Sequence, residues 1–355
     1  MPRSRTVRCA AGIALLLALV LAPLAPAAKR PPRSFFGVVP QGPLVAAEYD
    51  LMGGVVGTLR VPVYWYEVEP RPGEYELGPL DEVVGQAAER GVRVLPFVYG
   101  SPRWATGGEA RPPRSADDRA AWRRLLRRLV RRYGPRGRFW EGRAQRLPIR
   151  RWQIWNEPNF VLFWRPRPEP RAYARLLRLS ARAIRAEDAG AAIVAAGVAP
   201  VEAGITPWAF LRRLYEVPRV RRAFDIVALH PYAPHLRWVE LQIRFVRTAM
   251  ATAGDAGTPL LLSELGVASA GAFPNPFDKG RRGQAAFLRR AFRLALRNRR
   301  RWRLAGLHWY TWRDAAAADP HCVFCQYGGL LDAAGAAKPS WSAFRRIAGP
   351  AYPRV

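Results

Sequence analysis

Leu260-Leu261-Leu262-Ser263-Glu264-Leu265-Gly266, preceded by Pro259, is the stretch on which the fold turns. A short unbroken apolar run bounded by Pro and Gly is the pattern of a strand buried on both faces, as in a parallel sheet. Read as Pro259–Ser263, it is the seventh in a series. The others are Phe35–Val39, Gly57–Val63, Val92–Val98, Arg151–Trp155, Ala192–Gly197, Asp225–His230 and Leu304–Tyr310. Between the runs lie helical patterns. Ser115 and Asp118 form a Ser-x-x-Asp capping box; Trp122, Leu125, Leu126, Leu129, Val130 and Tyr133 then share one face, with Arg on the other. Tyr173–Ile184 and Phe287–Leu296 repeat the arrangement. Strands alternating with helices give the α/β class, and eight such units in about 300 residues suit a closed (β/α)8 TIM barrel. No repeat of fixed period and no second core-forming segment is visible, so residues 29–355 read as one domain.

Half of the chain is hydrophobic, enough for a large core. Formal net charge is +30, almost all of it Arg, since Lys occurs only at 29, 279 and 338. The Arg residues fall on polar helix faces rather than in one aromatic-interleaved patch, so no nucleic-acid partner is expected and the excess reads as compositional. Residues 1–28 read as a signal peptide. Arg3, Arg5 and Arg8 form a basic start, Ala10–Leu21 an apolar run, and Ala25-Pro26-Ala27-Ala28 an Ala-x-Ala-like cleavage site. Pro23 and Pro26 break the run below the length of a membrane span, which makes an uncleaved anchor the second choice and a secreted or extracytoplasmic location the first. In an oxidising compartment Cys322-Val323-Phe324-Cys325 reads as a small disulfide loop. His321 would add a third metal ligand, but a fourth is not apparent; neither metal nor cofactor is expected.

Two acids sit where a barrel does its chemistry, at the C-terminal ends of strands. Glu157, in Trp155-Asn156-Glu157-Pro158-Asn159, ends the fourth strand, and Glu264 ends the seventh. A carboxylate directly after several apolar strand residues is costly to desolvate unless it has partners or a task. Glycosidic cleavage needs two such groups, one to protonate the departing oxygen and one to attack or assist at the anomeric carbon.

On Asn156-Glu157-Pro158 and Ser263-Glu264, in this strand order, the sequence resembles the retaining glycoside hydrolases of clan A, in particular catalytic barrels of the family 39 and family 5 type. The resemblance implies that Glu157 is the acid/base and Glu264 the nucleophile. It places Arg60, in Leu59-Arg60-Val61-Pro62, beside the nucleophile to keep it charged. It makes Tyr232, in His230-Pro231-Tyr232, a hydrogen-bond donor to the nucleophile, puts His230 in the same subsite, and sets Asn156 against the sugar 2-hydroxyl. Trp312, after the eighth strand, matches a platform under the reacting sugar, and Trp65 and Trp104 are candidates to extend the cleft. Trp152 and Trp155 are treated as packing. The sequence departs from family 5 patterns where Val92-Arg93-Val94-Leu95-Pro96 stands in place of a His leading into strand three.

The implied partner is an oligo- or polysaccharide, cleaved as a β-linked glycoside with retention. A non-catalytic carbohydrate- or polyanion-binding barrel at the cell surface stays open beside this reading; it would bind without turnover. There is no Gly-x-Ser-x-Gly elbow, phosphate-cradling Gly loop or His-Glu-x-x-His, so other hydrolase and nucleotide chemistries have little footing.

Overall fold

The computed structural model describes residues 31–271, 275–317, 322 and 324–349. Residues 1–28, expected to be a signal peptide, and His321 lie outside the described residues. Eight parallel strands close into a barrel in sequence order: β1 (Phe36–Val39), β2 (Thr58–Tyr64), β3 (Arg93–Tyr99), β4 (Arg151–Ile154), β5 (Ala192–Val198), β6 (Ile226–Leu229), β7 (Leu260–Leu265) and β8 (Leu304–Tyr310). Closure is made by β1 against β8, with Phe36 opposite Leu307 and Val39 opposite Tyr310. Each strand lies within two residues of its apolar run. The largest extension is at β7, which carries Glu264 and Leu265 inside the strand because Leu265 still pairs with Trp309 across a register shift.

Helices pack the outside of the sheet. Ala116–Tyr133 begins at the expected box, in which Ser115 Oγ accepts from the Asp118 N–H and Asp118 accepts from the Ser115 N–H, each at 2.9 Å. Its apolar face buries Trp122, Leu125, Leu126, Leu129, Val130 and Tyr133, while the Arg residues stay outside. Complete burial of one such aliphatic side chain contributes about 1.5–3 kcal/mol, which is why the stripe, rather than helix propensity, fixes the helix on the sheet. Pro170–Glu187 and Gly280–Asn298 enclose the other two expected helices.

The barrel interior divides into two halves along its axis. Leu95, Val194, Ile226, Ala228 and Leu261 make a small apolar cluster of their own, separate from the large core between sheet and helices. Toward the C-terminal end the inward residues Arg60, Gln153 and His230 are polar, and so is His308 between the two halves; all four are at most 1% exposed. Glycine makes room for the two imidazoles. A Cβ on Gly37 would lie 2.2 Å from His308 Cδ2, and one on Gly197 would lie 2.0 Å from His230 Nε2. Among the described residues no helix is long and apolar enough to cross a membrane.

Candidate active site

Glu157 follows β4 through a sharp turn. Trp155 and Glu157 have φ of 72° and 37°, left-handed values that side chains other than Gly seldom adopt. Hydrogen bonds on both sides hold the turn: Trp155 N–H donates to Val98 O at 2.9 Å, and Glu157 N–H to Gly197 O at 3.1 Å. Asn159 fastens the following loop, donating through Nδ2 to Ala199 O and Ile205 O, both at 2.7 Å, and accepting from Ala199 N–H. The turn therefore sets Glu157 in the mouth of the barrel, facing the end of β7.

Glu264 receives a donor on each oxygen. Arg60 Nη1 donates to Oε1 at 2.5 Å and the Tyr232 hydroxyl to Oε2 at 2.6 Å. Arg60 is itself fixed. Its Nε donates to Gln153 Oε1 at 2.9 Å, its Nη2 to Asn156 Oδ1 at 3.0 Å, and its guanidinium lies 3.7 Å from the centre of the Phe97 ring. Gln153 donates in turn to Trp155 O at 3.1 Å, so the cation that holds Glu264 also braces the Glu157 turn. His230 Nδ1 lies within hydrogen-bond distance of Glu157 Oε1, at 2.6 Å, and 3.6 Å from Glu264 Oε2.

The two carboxyl groups are pushed in opposite directions. Burial, reinforced by the charge of Glu264, raises Glu157 above the usual carboxylate range, although His230 and Arg60 oppose this. Burial also acts to raise Glu264, but His230, the Arg60 charge and the bonds from Tyr232 and Arg60 outweigh it and hold the group below its ordinary value. Tyr232 is raised well above its ordinary value, by burial first and then by Glu264, so it stays a donor. A protonated acid thus faces an ionised carboxylate, the division of labour that acid-assisted displacement requires.

Glu157, His230 and Glu264 each offer one ligand-type atom, and these lie within 4.8 Å of one another. Both oxygens of Glu264 are already engaged by Arg60 and Tyr232. A metal would have to displace these donors and sit beside a fixed guanidinium, so the donor set suits proton handling better than a cation.

The structure brings Glu157, Glu264, Asn156, Arg60, His230 and Tyr232 together, and separates the three tryptophans from them. Trp312 is a correction. It is wholly buried, donates through Nε1 to Glu48 Oε1 at 3.0 Å, and packs edge-on against Trp341 at 5.2 Å. The inward alternation of β8 runs through Gly306, His308 and Tyr310, and the chain beyond it turns outward. Tyr310 is the half-buried aromatic on the cleft side, 6.1 Å from the ring of Tyr232. Trp65 is also corrected: it starts the short helix Trp65–Val68, is fully buried against Trp104 and Trp122, and donates to Glu69. Trp104 is half-buried and donates to Glu69 O at 3.0 Å, a fastening role rather than a free sugar platform. Trp152 and Trp155 are buried, as packing requires.

Several members escape sequence reasoning. Gln153 had a signal, a polar side chain inside an apolar strand two residues before the turn. Phe97 and Asn159 had none beyond their positions. Cys322 and Cys325 are joined by a disulfide. Phe324, within that ring, packs 5.0 Å from Tyr232 and stacks on Phe277 at 4.6 Å, forming an aromatic wall on the Glu264 side.

No family model matches the sequence, and no curated protein matches it. Solved structures match the fold. A family 39 glycoside hydrolase from the gut symbiont Bacteroides cellulosilyticus WH2 aligns over 90% of this chain and 64% of its own, with a TM-score of 0.67 and 19% identity. This chain thus spans less than two thirds of that protein's length. A monomeric β-xylosidase from Caulobacter crescentus CB15 aligns over 89% and 68%, with a TM-score of 0.64 and 18% identity. A GH5_18 protein from Bifidobacterium longum subsp. longum, solved with Manβ1-4GlcNAc, aligns over 90% and 80%, with a TM-score of 0.65 and 17% identity. At such identities the likeness establishes the barrel; the chemistry rests on the site.

Proposed function

We propose that the protein is a retaining glycosidase acting on a β-linked glycoside outside the cytoplasm. The observation that carries the reading is the pair of buried carboxyls at the ends of β4 and β7, one raised and one lowered, with oxygens within 4.8 Å. Retaining enzymes hold this pair about 5–5.5 Å apart, whereas inverting ones need about 6.5–9.5 Å to admit a water. In the first step the ionised Glu264 attacks the anomeric carbon while Glu157 gives its proton to the departing oxygen. In the second, Glu157 takes a proton from water, which displaces Glu264 from the sugar. Arg60 and Tyr232 stabilise the leaving carboxylate as charge returns to it. Asn156, fixed by Arg60, is available to the sugar 2-hydroxyl. The fold neighbours include a β-xylosidase, a glucosidase and an exo-β-1,4-mannosidase, which makes aryl β-xylosides, β-glucosides and β-mannosides the first probes. Residues 1–28 support the location.

The test is covalent trapping. An aryl 2-fluoro glycoside of whichever sugar is turned over should leave one adduct, found on Glu264 by peptide mass mapping. An adduct on another residue would sink the assignment. Sugar affinity without turnover of any aryl glycoside or polysaccharide would support the binding barrel instead.

A further inference from the structure

The opposite end of the barrel carries a second polar feature that the proposed chemistry does not use. Side chains of a strand alternate between the two faces of the sheet. In β3, Leu95 is part of the apolar cluster and Phe97 lies beneath Arg60, so Arg93 shares their inward side at the start of the strand. In β4, Gln153 faces inward to Arg60, and Arg151 shares its parity at the strand's first residue. A barrel of this kind usually fills its interior with bulky branched side chains. Here the lower end holds a cavity of about 330 Å³ instead, bordered by Arg93, Arg150, Arg151, Thr58, Ser34 and His308, with Leu95 and Leu261 behind them.

The chemistry of this lining is one-sided. It has no Asp or Glu. Arg150 pairs with Asp188 at 3.3 Å, but Arg93 and Arg151 have no acid partner among the described residues. By contrast, Arg132 is matched by Asp81 and Arg313 by Glu48. The protein packed around it, and then the charge of Arg93, lower the proton affinity of Arg151 even though its side chain reaches solvent. His308, 1% exposed, lines the same cavity, and its Nδ1 has no hydrogen-bond partner. Both Arg93 and Arg151 stay exposed at the barrel face, so the cavity can be filled from solvent.

We propose that this cavity is a binding site for a compact oxyanion of the phosphate or sulfate type, held by the guanidiniums of Arg93 and Arg151 with His308 at its inner end. Guanidinium forks match the edge of a tetrahedral oxyanion, and charge-assisted bonds are the strong ones. The site is independent of the glycosidase reading and lies at the other end of the barrel from Glu157 and Glu264.

The test is calorimetric titration of the whole protein with inorganic phosphate, sulfate and acetate at pH 7 and matched ionic strength. A chain of net charge +30 will attract anions diffusely, so the diagnostic is saturation at one site with the dianions preferred over acetate. Arg93→Gln with Arg151→Gln should weaken phosphate binding by about tenfold or more per guanidinium removed. Arg123→Gln, on an exposed helix face, should leave it unchanged, and glycoside turnover should be unaffected in all of them. If the double variant does not fold, each single variant gives the same comparison. Unsaturable binding in the wild type, or saturable binding undiminished without Arg93 and Arg151, overturns the proposal.

Discussion

At the scale of single residues, the opposed shifts of Glu157 and Glu264 predict a bell-shaped pH profile. The acid limb belongs to Glu264, which must lose its proton, and the alkaline limb to Glu157, which must keep one. Glu157→Gln should erase the alkaline limb and cost ~100- to 10,000-fold on substrates with poor leaving groups. The loss should be much smaller for dinitrophenyl glycosides, whose departing oxygen needs no proton. An equal loss on both would mean that Glu157 is not the acid. Arg60→Gln removes the fixed cation from Glu264, so kcat should fall by about 100-fold or more and the acid limb should move to higher pH. If the limb stays in place, Arg60 does not set the charge state of Glu264. Glu157 and Glu264 were legible as acids ending apolar strands, and Arg60, His230 and Tyr232 through the resemblance to clan A. Gln153 and Phe97, which hold Arg60, were not, because their role exists only where β2, β3 and β4 meet.

At the scale of elements, the sequence periodicity located all eight strands and the three helices it singled out, since burial on both faces or on one stripe leaves a pattern in composition. Periodicity does not govern the segments just past the strands. Trp312 and Trp65 stand one or two residues past β8 and β2, where a change of direction decides whether a ring meets the cleft or the helices. That direction depends on contacts with Glu48, Trp341 and Trp122, distant in sequence. Cap chemistry, being local, can be read and tested alone. Ser115→Ala should destabilise the protein by about 1 kcal/mol in urea denaturation without changing turnover, because the helix Ala116–Tyr133 loses an N–H acceptor far from the site. A cost near zero would mean that Asp118 and water suffice at this terminus.

At the scale of the whole molecule, the barrel interior couples stability to pH through His308. Burial first, then the charges of Arg60, Arg151 and His230, push its pKa down from 6.5 to about 3. The unfolded chain binds this proton below about pH 6.5 while the folded protein refuses it, so stability falls as pH drops from there toward 3. By pH 4.5 the loss from this group alone is on the order of 3 kcal/mol. His308→Gln should therefore flatten the fall in denaturation midpoint between pH 7 and 4.5, measured in phosphate-free buffer. An unchanged slope would place the acid sensitivity in the carboxylates. Nothing in the strand Leu304–Tyr310 announces this, because the cause lies in the glycine opposite and in groups outside β8, above all the guanidiniums of β2 and β4.

The ring closed by Cys322 and Cys325 ties the cleft to the history of the sample. Phe324 rides on that ring and leans on Tyr232 and Phe277, while the reacting carboxyls are held by other elements. Treatment with a phosphine reductant should then slacken the wall and raise KM about several-fold, with a smaller fall in kcat, since Phe324 also supports Tyr232, which donates to Glu264. A preparation made in a reducing cytosol and one exported through an oxidising compartment would accordingly differ in apparent substrate affinity while running the same chemistry. Identical KM values before and after reduction would remove Phe324 from the cleft.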